Sequence, residues 1–371
     1  MPFIVVPKFY YGGFIVKNRI IFILAAIMMA GCLCACAGGK AVAGESEKLQ
    51  IVTTIFPEYD WVMNILGDNP ANAEVTMLLD NGVDLHSYQP TADDIVKIST
   101  CDLFIYVGGE SDKWVDDVLK GASNKNMAVI NLLDVLGSSV KEEEVIEGMQ
   151  EEEHDHDHED GEEDDHDDDD DDHDHDHEDD DDEHDHDHED GEPEYDEHVW
   201  LSLRNAAVLT DSIAKALEKA DGKNADTYET NAKAYVEKLN ALDKKYKDAV
   251  SDASTTTLLF GDRFPFRYLV DDYGLSYYAA FVGCSSETEA SFETVAFLAQ
   301  KVDELSLHSV MTIEGTDHRI AETIIQSTVS KDQRILTMDS LQSTTAKDVE
   351  NGTTYLSVME KNLSVLTQAL E

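Results

Sequence analysis

The sequence predicts an α/β protein: two α/β domains with parallel sheets, and a long helix between or alongside them. Three observations predict it. Strand and helix signals alternate from Leu49 to Leu132, and alternate again from Thr257 to Ala369. Between the two series, Tyr228, Ala232, Tyr235, Leu239, Leu242 and Tyr246 recur every three to four residues, the period of one buried helix face. Strand–helix–strand order at such spacing implies a parallel sheet covered by helices.

Residues 49–56 (LQIVTTIF) are rich in β-branched side chains and stop at Pro57, which reads as a strand. Helical spacing follows over 58–66 and ends at Gly67, and 74–79 reads as a second strand. Thr91 followed by Asp93 and Asp94 marks a helix start, with Thr91 as the cap and acidic residues in the first turn; that helix runs to about Thr100. Residues 103–107 (LFIYV) predict a buried strand, 113–120 a short helix and 128–132 another strand. Two helices follow later, over 203–219 and 225–250, the second about 39 Å long at 1.5 Å per residue. The last part predicts strands at 257–260, 277–281, 310–313 and 335–338, and helices at 292–305, 320–330 and 353–369.

Between Glu151 and Glu192 the chain carries ten histidines, thirty acidic residues and two glycines. No apolar side chain is available there to offset ordering entropy, so the run is expected to be disordered. Imidazoles interleaved with carboxylates suit divalent metals, whereas a plain spacer has no need of repeated His-Asp. His154, His156, His158, His166, His173, His175, His177, His184, His186 and His188 are therefore read as a weak metal-gathering set.

The N-terminus reads as an export signal. Lys17 and Arg19 precede the apolar run IIFILAAIMMA, which is too short to span a bilayer comfortably but suits a signal peptide. Leu33-Cys34-Ala35-Cys36 resembles a bacterial lipobox with Cys36 lipidated, and Cys32 is the alternative. The apolar stretch before Val16 suggests initiation nearer that residue. Cys101 and Cys284, the remaining cysteines, suggest no disulfide framework. The formal net charge is −52, of which the acidic run supplies −30 and the rest of the chain −22. Such a surface argues against nucleic acid and favours cations.

The divisions expected are a signal peptide at 1–35, a lipidated tether at 36–48, a first α/β domain at 49–150, the acidic run at 151–192, the end of the first domain at 193–223, a linking helix at 224–253 and a second α/β domain at 254–371. In α/β domains ligands bind at the carboxyl ends of strands and in clefts between domains. Four residues outside the acidic run stand at such places: His86 after the second strand, His198 just after the acidic run, Cys284 after strand 277–281 and Asp339 after strand 335–338. His308 and His318 rank lower, and Glu314 is a supporting residue behind the ligands or an alternative ligand.

The segments GVDLHSYQPTADDI (82–95), EHVWLS (197–202), TIEGTDHRIAETI (312–324) and LTMDSLQ (336–342) occur in this order. They resemble the metal-binding lipoproteins of bacterial zinc and manganese ABC importers, and a His/Asp-rich insertion before H-x-W-L-S is similar to that of the zinc branch. The resemblance implies two α/β domains joined by one rigid helix, with metal in the cleft between them. It places His86 and His198 on the first two ligands and Asp339 on the carboxylate ligand. The third position departs from the pattern. Where zinc binders have histidine this chain has Gly261, in Phe260-Gly261-Asp262-Arg263. Cys284 lies within one residue of the glutamate that manganese binders use, so Cys284 is expected to substitute. Asp262 is the alternative, with Arg263 beside it as an ion-pair partner.

The function expected is a binding lipoprotein on the outer face of the bacterial cytoplasmic membrane. It captures Zn²⁺, with Mn²⁺ as the alternative, and passes it to a membrane permease served by a separate ATPase. A monomer is expected, with a lipid anchor and no nucleic-acid partner. An adhesin of the same fold and a zinc hydrolase are the competing readings. The chain carries no G-x-x-x-x-G-K-[ST] loop, no H-E-x-x-H and no G-x-S-x-G. Protonation of the two histidines is expected to weaken metal binding below about pH 6.5.

Deleting 151–192 is expected to leave the fold and one tight metal site intact while a set of weaker sites disappears. Calorimetric titration of the two chains checks this, and loss of the tight site would place a primary ligand inside the acidic run.

Overall fold

The computed structural model describes residues 48–150, 194–285 and 289–371. The export segment 1–35, Cys36 and its alternative Cys32, the tether up to Glu47 and the acidic run with its ten histidines lie outside the described residues. Among the described residues no helix is long and apolar enough to cross a membrane.

Strand β1 (Gln50–Thr53) is followed by α1 (Phe56–Leu66) and β2 (Glu74–Met77). Then come α2 (Ala92–Thr100), β3 (Leu103–Tyr106), α3 (Val115–Gly121), β4 (Ala128–Asn131) and α4 (Leu132–Leu136). The first strand ends three residues before the sequence suggested. The Glu58 carboxylate takes the Thr54 and Ile55 N–H groups at 2.8 and 3.3 Å, and Pro57 sits in the first turn of α1, where no N–H is needed. Thr91 caps α2 as expected, accepting from the Asp94 N–H at 3.2 Å while Asp94 accepts from the Thr91 N–H at 3.0 Å. All four strands are parallel, in the order β2-β1-β3-β4.

Helices α5 (Leu203–Ala220) and α6 (Ala225–Ser251) lead to the second sheet. There β5 (Thr257–Phe264), α7 (Arg267–Tyr273), β6 (Ser276–Val282), α8 (Phe292–Leu305), β7 (Ser309–Ile313), α9 (Arg319–Ser327), β8 (Arg334–Met338), α10 (Ala346–Glu350) and α11 (Tyr355–Ala369) follow. This sheet is also parallel, in the order β6-β5-β7-β8, which repeats the topology of the first. Helices α4, α7 and α10 span seven residues or fewer, too short for a helical period to stand out in the sequence.

Helix α6 ties the halves together. Its buried face carries Tyr228, Ala232, Tyr235, Leu239, Leu242 and Tyr246. The Tyr235 hydroxyl donates to Asp60 of α1 at 3.0 Å, and the Tyr246 hydroxyl donates to the Met359 carbonyl of α11 at 2.6 Å. One apolar core runs from Ile51 through α6 to Leu370, so Lys48 to Glu371 form one compact unit. A smaller core lies on the opposite face of the second sheet, where Leu259 and Phe281 meet Leu298, Val302 and Ile324.

The chain flanking the acidic run is anchored on both sides. Glu142 and Tyr195 form an antiparallel bridge, the Glu143 N–H donates to the Glu194 carbonyl at 2.8 Å, and the Asp196 N–H donates to the Lys141 carbonyl at 2.9 Å. The segment from Lys141 to Gln150 docks on the second half, although the sequence grouped it with the first. The Lys141 N–H donates to the Tyr268 hydroxyl at 3.0 Å, Lys141 pairs with Asp271 at 2.7 Å, Arg267 pairs with Glu144, and the Gln150 N–H donates to the Ala280 carbonyl at 3.0 Å.

Because one core spans both halves, Leu239→Ala in the middle of α6 is expected to cost about 2–5 kcal/mol. Thermal unfolding should stay a single transition at lower temperature. Two separated transitions would show that the halves melt independently.

Candidate metal centre

His86 sits in a single 3-10 turn, Leu85–Ser87, in the loop after β2. Asp84 starts that turn and accepts from the His86 N–H at 3.0 Å. His198 opens the turn Val199–Leu201 and is 0% exposed. Its segment is fastened to the second half by three bonds. The Tyr268 hydroxyl donates to the Asp196 carbonyl at 2.8 Å, Trp200 Nε1 donates to the Ser340 carbonyl at 2.8 Å, and the Tyr355 hydroxyl donates to the Trp200 carbonyl at 2.7 Å.

The two imidazoles face each other with Nε2 atoms 3.2 Å apart. Each Nδ1 is engaged on the far side. His198 Nδ1 lies 3.0 Å from Asp196 Oδ1, and a carboxylate there requires the proton on Nδ1. His86 Nδ1 lies 2.8 Å from the Ser111 hydroxyl and 3.4 Å from Glu197 Oε2. Both Nε2 atoms therefore face the same space. Burial, then the neighbouring His198, hold the His86 pKa down at about 3, so His86 is neutral at any ordinary pH.

Cys284, in the loop after β6, completes the group. The donor atoms of His86, His198 and Cys284 all lie within 4.8 Å of one another. Burial raises the Cys284 thiol well above its ordinary pKa, and Glu143, Asp196 and Glu197 raise it further. Gly283 makes the approach possible, because a Cβ there would sit 3.0 Å from His198 Cε1 and 2.9 Å from the Phe264 carbonyl oxygen. Cys101 is buried elsewhere, and both described cysteines are free thiols.

Three expected residues do not join this group. Asp339 Oδ1 accepts from the Leu341 N–H at 2.9 Å, and burial followed by the neighbouring Glu314 raises its pKa to about 6. Glu314 braces the same loop, accepting from the Ser340 N–H and Ser340 hydroxyl at 2.7 Å each. Asp262 is occupied by the Arg263 N–H at 2.9 Å, the Ile313 N–H at 3.1 Å and the Thr316 hydroxyl at 2.9 Å. The expected Asp262–Arg263 ion pair is replaced by another. The Arg263 guanidinium donates to Asp84 Oδ2 at 2.8 Å and to the Ser285 carbonyl at 3.2 Å, so it holds the His86 and Cys284 loops at once. Gly261 cannot carry a side chain, because its Cβ would lie 2.7 Å from the Ala321 Cα of α9. His308 is exposed, and His318 lines a separate cavity with Arg319.

Sequence reasoning missed Asp196, Glu197, Ser111 and Glu143. Asp196 and Glu197 come a few residues after the acidic run and share its composition, yet they are 3% and 1% exposed. The only available signal was their adjacency to Val199-Trp200-Leu201, an apolar triplet that pulls its neighbours into the core.

The chain belongs to the ZnuA family, zinc-uptake complex component A, periplasmic, whose family model matches residues 51–369. It is 32% identical over 354 residues to the zinc-binding lipoprotein AdcA of Streptococcus pneumoniae, covering 95% of this chain and 61% of AdcA. This chain thus spans about three fifths of that relative's length. The high-affinity zinc uptake system protein ZnuA of Bacillus subtilis is 27% identical over 351 residues, covering 94% of this chain and 97% of ZnuA. Among solved structures, the Zn(II)-bound ZnuA-like domain of S. pneumoniae AdcA superposes with a TM-score of 0.62 at 27% identity. That match covers 87% of this chain and 99% of the domain.

Gly283→Ala is expected to displace the His198 ring and weaken metal binding by about tenfold or more, since outer contacts of this kind orient ligands. Competition with a metal chelator measures it. Wild-type affinity in this variant would show that the loop yields without moving His198.

Proposed function

We propose that this protein is an exported, lipid-anchored solute-binding component that captures Zn²⁺ and delivers it to an ABC permease driven by a separate ATPase. It binds metal as cargo and catalyses no reaction. Cys36 is its lipidation site, and His86, His198 and Cys284 are ligands to the ion. The observation that carries the reading is the pair of Nε2 atoms 3.2 Å apart beside a thiol. Tetrahedral zinc with Zn–N bonds of about 2.0–2.1 Å sets its nitrogens roughly 3.3–3.4 Å apart. Imidazole and thiolate donors favour zinc over manganese, which prefers oxygen. The relatives named for zinc support the same cargo.

Loading follows from the residues present. Asp196 keeps the His198 proton on Nδ1 and leaves its Nε2 open to a cation, and Ser111, with the Glu197 carboxylate 3.4 Å away, orients the His86 ring from its Nδ1 side. Cys284 must give up its thiol proton to bind. With its pKa raised, the thiol is protonated at neutral pH, so zinc binding releases one proton.

Apparent zinc affinity is therefore expected to rise about tenfold per pH unit across the neutral range. Cys284→Ser should remove that slope and also the sulfur-to-metal charge-transfer band of the cobalt-loaded protein. A slope retained in the serine variant would assign the released proton elsewhere. His86→Ala and His198→Ala should each abolish the tight site in calorimetry, and unchanged binding in both would refute the reading.

A further inference from the structure

We propose that Glu58 and Asp112 share one proton inside the first half, and that this proton holds the loop carrying Ser111 against His86. The shared proton is independent of the zinc reading above, and only its consequence for His86 rests on it. Thr54 follows β1 and Gly108 lies just beyond β3. The two strands are neighbours, with Thr53 opposite Ile105 and the Thr54 N–H donating to the Ile105 carbonyl at 3.2 Å. Glu58 sits over the first strand end, where its Oε2 accepts from the Thr54 and Ile55 N–H groups and from the Thr54 hydroxyl at 3.1 Å. Asp112 sits over the second, where its Oδ2 accepts from the Gly108 N–H at 3.0 Å. The two carboxyls therefore cap adjacent strand ends, and neighbouring strands lie about 4.8 Å apart.

Each carboxyl keeps a second oxygen, Glu58 Oε1 and Asp112 Oδ1, that is buried with no hydrogen-bond partner. Glu58 is 0% and Asp112 3% exposed. The indole N–H groups of Trp61 and Trp114 do not serve these oxygens, since each is itself buried without a partner. Two ionised carboxylates in such a place are costly. One proton turns one orphan oxygen into a donor and the other into its acceptor, and it removes one of the two charges. The groups that face the pair bring no positive charge. They are the Glu197 carboxylate and the phenols of Tyr88 and Tyr106, while Lys113, next in the chain, pairs with Glu110 at the surface. Burial and then Asp112 raise the Glu58 pKa, and burial and then Glu197 raise that of Asp112 to about 7. Asp112 closes the loop from Gly108, and Ser111 in that loop donates its N–H to Glu197 at 2.8 Å and meets His86 Nδ1 with its hydroxyl at 2.8 Å. Loss of the proton sets two buried negative charges against each other and loosens this loop.

Both carboxyls have folded pKa values above their unfolded ones, so the stability they contribute is complete below about pH 4 and is lost as pH rises through about 7. In Glu58→Gln the side-chain carbonyl still accepts from Thr54 and Ile55, and the amide N–H replaces the shared proton at every pH. Between about pH 5 and about pH 9 the metal-free wild-type chain is expected to lose several degrees of melting temperature that Glu58→Gln retains. Asp112→Asn should behave like Glu58→Gln, from the other side of the pair. The infrared difference between wild type and Glu58→Gln at about pH 6 should contain the carbonyl band of a protonated carboxylic acid. By chelator competition, zinc affinity should be equal in wild type and Glu58→Gln at about pH 6, and about tenfold tighter in Glu58→Gln at about pH 9. Melting temperatures that run parallel in wild type and both amide variants, or a difference spectrum without the acid band, would overturn the shared proton. Failure of Glu58→Gln to fold at any pH would also overturn it, because the amide mimics the protonated acid. Equal zinc affinities at both pH values would overturn the hold on His86. A wild-type chain that binds no zinc would refute the proposed function, and the metal-free readings would still decide the proton.

Discussion

Two imidazole Nε2 atoms are held 3.2 Å apart, and the Nδ1 atom of each ring is engaged on the opposite side, by Asp196 in one and Ser111 in the other. With the proton of each ring on Nδ1 the two lone pairs repel, and a shared cation relieves that repulsion. The geometry persists because the surroundings over-determine it. Asp196 takes both the backbone N–H and the ring Nδ1 of His198, and Asp84 fixes the turn that presents His86. The site is preorganised for an ion, so little of the binding free energy is lost to ordering its imidazoles.

That preorganisation depends on the two halves being held as one body. His198 belongs by chain order to the first half, yet the tyrosines that fasten its segment, Tyr268 and Tyr355, belong to the second. Arg263 makes the reverse link, reaching from β5 to Asp84 beside His86 while holding the Cys284 loop through the Ser285 carbonyl. Helix α6 supports both links from below, with Tyr235 bonded to one half and Tyr246 to the other. The donors gathered at the mouth thus inherit the rigidity of the continuous core.

The lack of a side chain at Gly261 has a packing cause. At Gly261 the bulge in β5 and the close approach of α9 leave no room for any side chain. The adjacent Asp262 is consumed in closing the bulge against β7 and Thr316. In the next loop Gly283 lets the backbone reach the His198 ring, and Cys284 follows at once, within 4.8 Å of both imidazole donors. A thiolate in that place would suit a softer ion.

Most of the scaffold was legible in the sequence, because it depends on local patterns. Alternation of short β-branched runs with helical spacing located all eight strands, and the repeat from Tyr228 to Tyr246 located the long helix. His86, His198 and Cys284 were singled out by residue type and by their places after strands, and the structure brings these three together. The rest was decided by distances between residues far apart in the chain. Glu143 meets Cys284 across 141 positions, and Arg263 meets Asp84 across 179. Asp339 satisfies the same sequence criteria as the others, yet it lies outside that group; its Oδ1 accepts from the Leu341 N–H, and Glu314 braces its loop. Asp196 and Glu197 looked like the end of a solvated acidic run, and burial turned them into ring-orienting groups. Residue order specifies which elements form, since propensity and periodicity act over a few residues. Only the packed fold specifies which carboxylates keep an oxygen without a partner, since that depends on which N–H and hydroxyl groups the rest of the chain brings to each of them.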